Sequence, residues 1–445
     1  MDTIVAISSP AGRGAIGLVR LSGKDAFPVA SSFCRKSSGL PVPREPRQAI
    51  LARILEPDGK LLDTGIFLFF EGPASSTGED TVELTCHGNP LILRRVVDLC
   101  LGAGARPAAA GEFTLRAFRN GKMDLVQAES VKRVVEARSG LELFAGQRMH
   151  EGFLSQFLDR IRAKLIGLGA EVEAEIDFSS EDLTLQSREE REATATQIIA
   201  DIEQMIEKSR GTTAALSHWQ ITLAGNPNAG KSSLLNALLR QDRALVSDIP
   251  GTTRDTITED RELAGTAVRL VDTAGLRESS DPLERAGIER TLQTLQKSQI
   301  ILHVVDGSLS AGENQLLNAP LPAHAKVIAV LNKCDLLHPD HIGSALLRVS
   351  AQTGEGLPDL EARLEEMIKE SYPPDPILLE ARQSHHLGAA AQALKTMQHL
   401  QQNNAPPEIV ALEIQRALTE IGAITGAIDT EEILGRIFST FCIGK

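Results

Sequence analysis

Gly225-Asn-Pro-Asn-Ala-Gly-Lys-Ser232 is the stretch that most constrains what this chain can fold into. It fits G-x-x-x-x-G-K-[ST], and it stands between an apolar run, Gln220–Ala224, that reads as a buried strand and a run, Ser233–Arg240, that reads as a helix. In a strand-loop-helix setting, successive backbone N–H groups and the helix N-terminus surround a phosphate. Asn228, Ala229, Gly230, Lys231, Ser232 and Ser233 are then the phosphate-loop candidates. Lys231 reaches the β and γ phosphates as a catalytic cation, and the Ser232 hydroxyl ligates Mg²⁺. The bare pattern also arises by chance, so context decides.

The context is ordered. Asp272-Thr273-Ala274-Gly275 follows Val268–Val271, an apolar strand that would deliver Asp272 to Mg²⁺ and the Gly275 amide to the γ-phosphate. Asn332-Lys333-Cys334-Asp335 ends the strand Lys326–Leu331, and its last carboxylate can accept two N–H bonds from the Watson–Crick edge of guanine. Adenine has no such donor pair there, so the base is guanine. Ser350 and Ala351, after Leu346–Val349, would close the base pocket with backbone amides. Four signals in this order on successive strand ends place a doubly wound nucleotide domain at 215–375.

Between the phosphate loop and Asp272, the run Ser247-Asp248-Ile249-Pro250-Gly251-Thr252-Thr253 reads as a switch. Thr253 would give its hydroxyl to Mg²⁺ and its amide to the γ-phosphate, and let go after hydrolysis. After Gly275, where Ras-type GTPases place a water-orienting Gln, this chain has Leu276, which cannot position water. Glu284 is the candidate replacement; the alternative reading is a carboxylate at a helix N-terminus. No arginine finger is identifiable. Asn228 and the loop Ser247–Thr252 carry enough oxygens to dehydrate a K⁺ ion, which would neutralise charge on the β–γ bridge as a guanidinium does. A plain turn residue is the alternative for Asn228.

The remainder of the chain brackets this domain. At 445 residues, two or three domains are expected, with 42% apolar residues for their cores. A net charge of −13 leaves no whole-molecule attraction for nucleic acid, so RNA contact needs a local basic patch. Cys34, Cys86, Cys100, Cys334 and Cys442 show neither zinc nor disulfide spacing, and neither a signal peptide nor a membrane span is expected, which suits a reducing cytoplasm. Residues 1–118 read as an α+β domain, with strands at Ile4–Ile7, Gly17–Leu21, Gly65–Phe70 and Thr81–Thr85 and a helix at Leu91–Leu101. Arg20, Glu83 and His87 lie on or beside those strands, where a solvated strand face is the usual account of a lone charge.

From 119 to 214 the pattern is helical, with one apolar stripe at Leu154, Leu158, Ile161, Leu165, Leu168, Val172 and Ile176 and a second helix from Ile198 to about Gly211. After the break Tyr372–Pro376, helices are expected at Ser384–Asn403, Glu408–Ile421 and Glu431–Phe441. The long stripe needs covering, and the helices after 376 are the available partners. The predicted fold class is therefore multidomain α/β: an N-terminal α+β domain, a discontinuous helical domain made of 119–214 and 376–445, and the inserted P-loop G domain.

With these residues on the page, the whole chain resembles the bacterial tRNA modification GTPase family MnmE, also called TrmE. The resemblance rests on Asp2–Ala6, Gly12–Gly14, Thr77–Asp80, Gly111–Thr114 with Arg116–Phe118, Gly121–Asp124, the four nucleotide signals, Gly251–Asp255, Asp272–Arg277 and the terminal Phe441-Cys-Ile-Gly-Lys445. It implies a homodimer joined through N-terminal domains similar to folate-binding one-carbon-transfer domains. It implies 5-formyl- or 5,10-methylene-tetrahydrofolate at Arg20, Glu83 and Lys122 with Lys445, K⁺ at Asn228, Ser247, Ile249 and Thr252, Mg²⁺ at Ser232 and Thr253, water orientation by Glu284, and a chemical role for Cys442. It further implies that, with the flavin-dependent partner MnmG, the complex adds an aminomethyl or carboxymethylaminomethyl group to C5 of the wobble uridine, position 34, of tRNA. The family's usual Gly-Arg-Gly-Gly, His-Gly-Gly and Arg-Pro-Gly-Glu-Phe appear here as Gly12–Ala15, His87–Asn89 and Ala109–Phe113. The rival reading is a ribosome-assembly GTPase switch such as Era or Der, which lacks modification chemistry.

Overall fold

The computed structural model describes residues 2–177, 187–216, 219–240, 258–263, 266–273, 293–310, 321–341, 346–426, 434, 437–441 and 444. The chain forms two compact units, one of Met1–Arg133, Gln147–Gln204 and Leu379–Lys445, the other of Val134–Gly146 and Met205–Leu378. By compactness, then, the N-terminal sheet and most of the helical segments are one body.

Apolar residues alternating with polar ones build the first unit's sheet from β1 (Ile4–Ile7), β2 (Ile16–Ser22), β3 (Cys34–Lys36), β4 (Ile50–Leu55), β5 (Leu61–Phe70), β6 (Thr81–His87) and β7 (Arg106–Pro107), in the order β3-β4-β5-β6-β2-β1-β7. All neighbours are antiparallel except β1 and β7. The helices α1 (Ala26–Phe33) and α2 (Pro90–Gly102) cover one face, closing a core around Val19, Leu21, Phe67, Phe69, Leu84 and Val96. Asn89, where the family usually has glycine, caps α2: its side chain accepts from the Leu91 amide at 2.9 Å, and Pro90 occupies the first turn, where no donor is missed. Cys34, Cys86 and Cys100 lie in this core as free thiols, and burial pushes Cys86 and Cys100 up to about 12. They are packing groups, not nucleophiles.

A buried ion network ties α3 (Glu112–Arg119) to the sheet. Arg116, 3% exposed, donates to Glu79, Glu112, Asp2 and the Asp2 carbonyl at 2.8–3.0 Å. Arg106 closes the circle on Asp2 and Glu112. Burial alone would raise the Glu112 carboxyl, but bonds from Arg106, the Ala109 amide and Arg116 outweigh it and hold it at about 2.

In the helical part, α4 (Leu125–Glu136) and α5 (Gly140–His150) precede α6 (Phe153–Asp177) and α7 (Arg188–Leu216). The apolar stripe on α6 is buried from Leu154 to Val172, and each of its leucines contributes roughly 2 kcal/mol of burial. Its covering partner is the last long helix, α11 (Pro407–Thr425), which packs in turn on α10 (Ala381–Gln402). Close to the C-terminus, Leu434, Phe438 and Phe441 join Leu125 and Ala128 in a small core.

The second unit carries a six-stranded sheet in the order β13-β12-β11-β8-β10-β9 among the described residues. Its strands are β8 (Trp219–Gly225), β9 (Thr258–Leu263), β10 (Thr266–Asp272), β11 (Ile300–Asp306), β12 (Lys326–Asn332) and β13 (Leu347–Arg348). All pairings are parallel except β9 with β10. Parallel strands are covered on both faces, and β8 and β11 are accordingly near-continuous runs of buried apolar residues. The helices α8 (Lys231–Arg240) and α9 (Leu357–Lys369) supply part of that cover.

Candidate nucleotide-binding site

The site lies at the carboxyl ends of β8, β10, β11 and β12, where an open parallel sheet has its crevice. The chain leaves β8 at Gly225 and re-enters helix at Lys231, and both glycines of the motif are required there. Gly225 has φ +153° and a Cβ would lie 2.2 Å from the Val304 carbonyl; Gly230 has φ +86° and a Cβ would lie 2.3 Å from Asn332 Nδ2. Asn228, at φ +66°, also takes the left-handed conformation that asparagine tolerates.

Lys231 is 7% exposed, and its ammonium donates to the Gly225 and Asn226 carbonyls at 2.9 and 2.8 Å. Burial lowers its pKa against the opposing pull of Asp272. A bound phosphate supplies the charge partner that burial withholds. Ser232 Oγ donates to Asp272 Oδ2, while the other carboxylate oxygen, Asp272 Oδ1, is buried with no hydrogen-bond partner. An orphaned hard oxygen beside a serine hydroxyl fits Mg²⁺, which takes a few protein oxygens and keeps the rest for phosphate and water.

The base-side residues meet around Asn332. Its side-chain nitrogen donates to the Ala229 carbonyl at 2.9 Å, and its oxygen accepts from the Ala351 amide at 3.2 Å, so one buried amide joins the phosphate loop to the Ser350-Ala351 turn. Lys333 adopts φ +61° and its ammonium pairs with Asp306 at 2.6 Å. Asp335 is exposed, free to meet an incoming base. Asp306 was not read from the sequence as a site residue; its signal is an aspartate ending the apolar run Ile300–Val305, just before Gly307. Thr273 anchors the end of β10, its amide and hydroxyl both donating to the Leu223 carbonyl.

The expected residues Ser247, Asp248, Ile249, Pro250, Gly251, Thr252, Thr253, Ala274, Gly275, Glu284, Cys442 and Lys445 lie outside the described residues. In the first unit, Arg20 and Glu83 face each other across β2 and β6 and pair at 2.8 Å, with the guanidinium carbon 5.8 Å from the centre of the Phe113 ring. Lys122 donates elsewhere, to the Pro73 carbonyl at 3.1 Å. The chain's end comes close to this pair. The Ser8 hydroxyl donates to the Gly444 carbonyl at 2.8 Å, and Gly111, two residues before Phe113, lies against Phe438 and Phe441.

A phosphate loop that only glycine can close, set between a parallel strand and a helix, makes the second unit a P-loop nucleotide-binding domain. The family described as the MnmE helical domain matches residues 125–442, and that described as the GTP-binding protein TrmE N-terminus matches residues 3–122. The tRNA modification GTPase MnmE of Leptospira interrogans is 42% identical over the full length of both chains. Its namesakes from Akkermansia muciniphila and Aquifex aeolicus are 40% and 38% identical, each over all of this chain and at least 99% of their own. Among solved structures, the FeoB G-domain of Methanococcus jannaschii matches 34% of this chain and 98% of its own at 23% identity, with a TM-score of 0.26. The chain belongs to the MnmE (TrmE) family of tRNA modification GTPases, enzymes that hydrolyse GTP, with Mg²⁺, in tRNA modification. Among the described residues no helix is long and apolar enough to cross a membrane.

Proposed function

We propose that this chain is a K⁺-stimulated GTPase whose hydrolysis cycle drives modification of the tRNA wobble uridine at C5 with an aminomethyl or carboxymethylaminomethyl group, in complex with the flavin-dependent partner MnmG. Lys231 and the backbone of Asn228–Ser233 hold the phosphates, Ser232 and Asp272 hold Mg²⁺ with Thr253, and Asp335 selects guanine beside Asn332, Lys333, Ser350 and Ala351. Mg²⁺ held there would supply charge neutralisation for the phosphates, and Asn228, Ser247, Ile249 and Thr252 would hold a K⁺ that adds to it. Glu284 orients the attacking water. The unpartnered Asp272 Oδ1 beside Ser232 carries the Mg²⁺ assignment.

In the same reading the chain is organised as 1–118, 119–214 with 376–445, and 215–375, and it works as a homodimer through its N-terminal domains. A tetrahydrofolate binds at Arg20 and Glu83, with Lys122 and Lys445 reaching it. The observation that supports a joint folate and cysteine chemistry is the Ser8–Gly444 hydrogen bond, which fixes Gly444 just past the end of β1, the strand whose Ala6 pairs with Arg20. An opposite-charge pair next to the Phe113 ring suits a flat heterocycle that carries both donors and acceptors. The full-length likeness to tRNA modification GTPases favours this reading over a ribosome-assembly switch. The test is mass analysis of wobble nucleosides from a deletion strain carrying the wild type or Cys442→Ser. Modification lost in the variant while purified GTP turnover stays within about twofold supports the proposal; full modification with Cys442→Ser refutes the role of the thiol.

A further inference from the structure

Buried polar atoms normally find a partner, and each exception needs a reason. Six such side-chain atoms among the described residues lack one. Asp272 Oδ1 is accounted for by Mg²⁺. Three of the remaining five, Arg188 Nη2, Arg191 Nε and Gln401 Oε1, belong to residues lining one cavity of about 240 Å³ in the first unit, far in sequence from every nucleotide signal.

The cavity is formed by the last turns of α6, the first turn of α7, the end of α10 and the start of α11. Its wall also includes the buried Val172 and Val410. Each arginine is already fixed by one bond: Arg188 Nη1 donates to Asn404 Oδ1 at 2.8 Å and Arg191 Nη1 to Glu175 at 2.5 Å. That leaves Arg188 Nη2 and Arg191 Nε as donors held in place without an acceptor. Arg191 is 9% and Gln401 8% exposed, so an unmade hydrogen bond at either carries a cost. The described lining holds two guanidiniums and one carboxylate, Glu175, while Glu189, next to Arg188 in the same turn, also faces its charge. Both arginines also sit in the first turn of α7, where the helix dipole disfavours cations and favours anions.

We propose that this cavity binds a small molecule through one oxyanion group, a carboxylate or a phosphate ester, received by Arg188 and Arg191, with Gln401 accepting from a hydroxyl or amine on the same molecule. The cavity, about 240 Å³, admits such a group with a few further atoms. The test uses the full-length protein saturated with GDP and Mg²⁺, so that the phosphate loop is filled. Inorganic phosphate and acetate are titrated separately by calorimetry at constant ionic strength. Saturable binding of one anion with a dissociation constant of about 1 mM or tighter is expected, phosphate marking an ester and acetate a carboxylate. Arg188→Gln, at a half-buried position, should weaken binding by about tenfold or more while GTP turnover stays unchanged. Absence of saturable binding of either anion, or equal binding by Arg188→Gln, would overturn the proposal; Arg191→Gln adds a second arm where it folds.

Discussion

At the scale of single residues, the phosphate loop is held as much by what is missing as by what is present. A methyl group at Gly230 would collide with Asn332 and demand a left-handed alanine, so Gly230→Ala should weaken GTP binding by about tenfold or more, as read with a fluorescent nucleotide. Glu284→Ala should lower kcat by about 100-fold with nucleotide affinity nearly unchanged; unaltered turnover would return Glu284 to a capping role. Gly225, Lys231, Ser232, Asp272 and Asn332, which the structure gathers at the strand ends, could be picked out from the sequence because a phosphate loop and its neighbouring strand ends need particular groups at particular spacings. Asp306 could not, since its task is to hold Lys333, a pairing that exists only once β11 and β12 lie side by side. The link from Asn332 to Ala229 was hidden for the same reason.

Elements were legible where one face repeats. The stripe on α6 announces both the helix and its need for cover. By contrast, α7 begins at Arg188, ten residues before the apolar repeat, because Ser187 and Glu190 form a reciprocal cap and Arg191 and Ala195 continue the buried face. β4 is hard to read because Arg53 alone marks its outer side as polar, while Leu51, also exposed there, is as apolar as the buried Ile50, Ala52 and Ile54. The ion network on α3 makes a pH prediction. Glu112 has a folded pKa of about 2, below its unfolded value of roughly 4.3, so its stabilisation is complete above that value and lost as pH falls toward 2. Glu112→Gln should therefore lower stability at pH 7 by about 1–3 kcal/mol and flatten the acid loss between roughly pH 4.3 and 2, measured by thermal unfolding across that range. An unchanged acid profile would remove Glu112 from the account.

On the scale of the whole molecule, K⁺ should raise GTP turnover steeply and Na⁺ hardly at all, because no arginine finger is identifiable in the sequence and Asn228 takes the left-handed conformation within the phosphate loop. Equal rates in the two salts, in a turnover assay at fixed ionic strength, would count against it. Local chemistry by itself determined that a guanine nucleotide domain interrupts a helical scaffold, since motif spacing and apolar periodicity are properties of neighbouring residues along the chain. Tertiary structure alone decided that the N-terminal sheet and most of the helical segments on both sides of the insertion form one compact unit, and that Gly444 reaches Ser8. It also decided that two arginines of α7 lie around a cavity with unspent donors. These pairings join residues separated by hundreds of positions, and their energies depend on burial and on partners that no local pattern encodes.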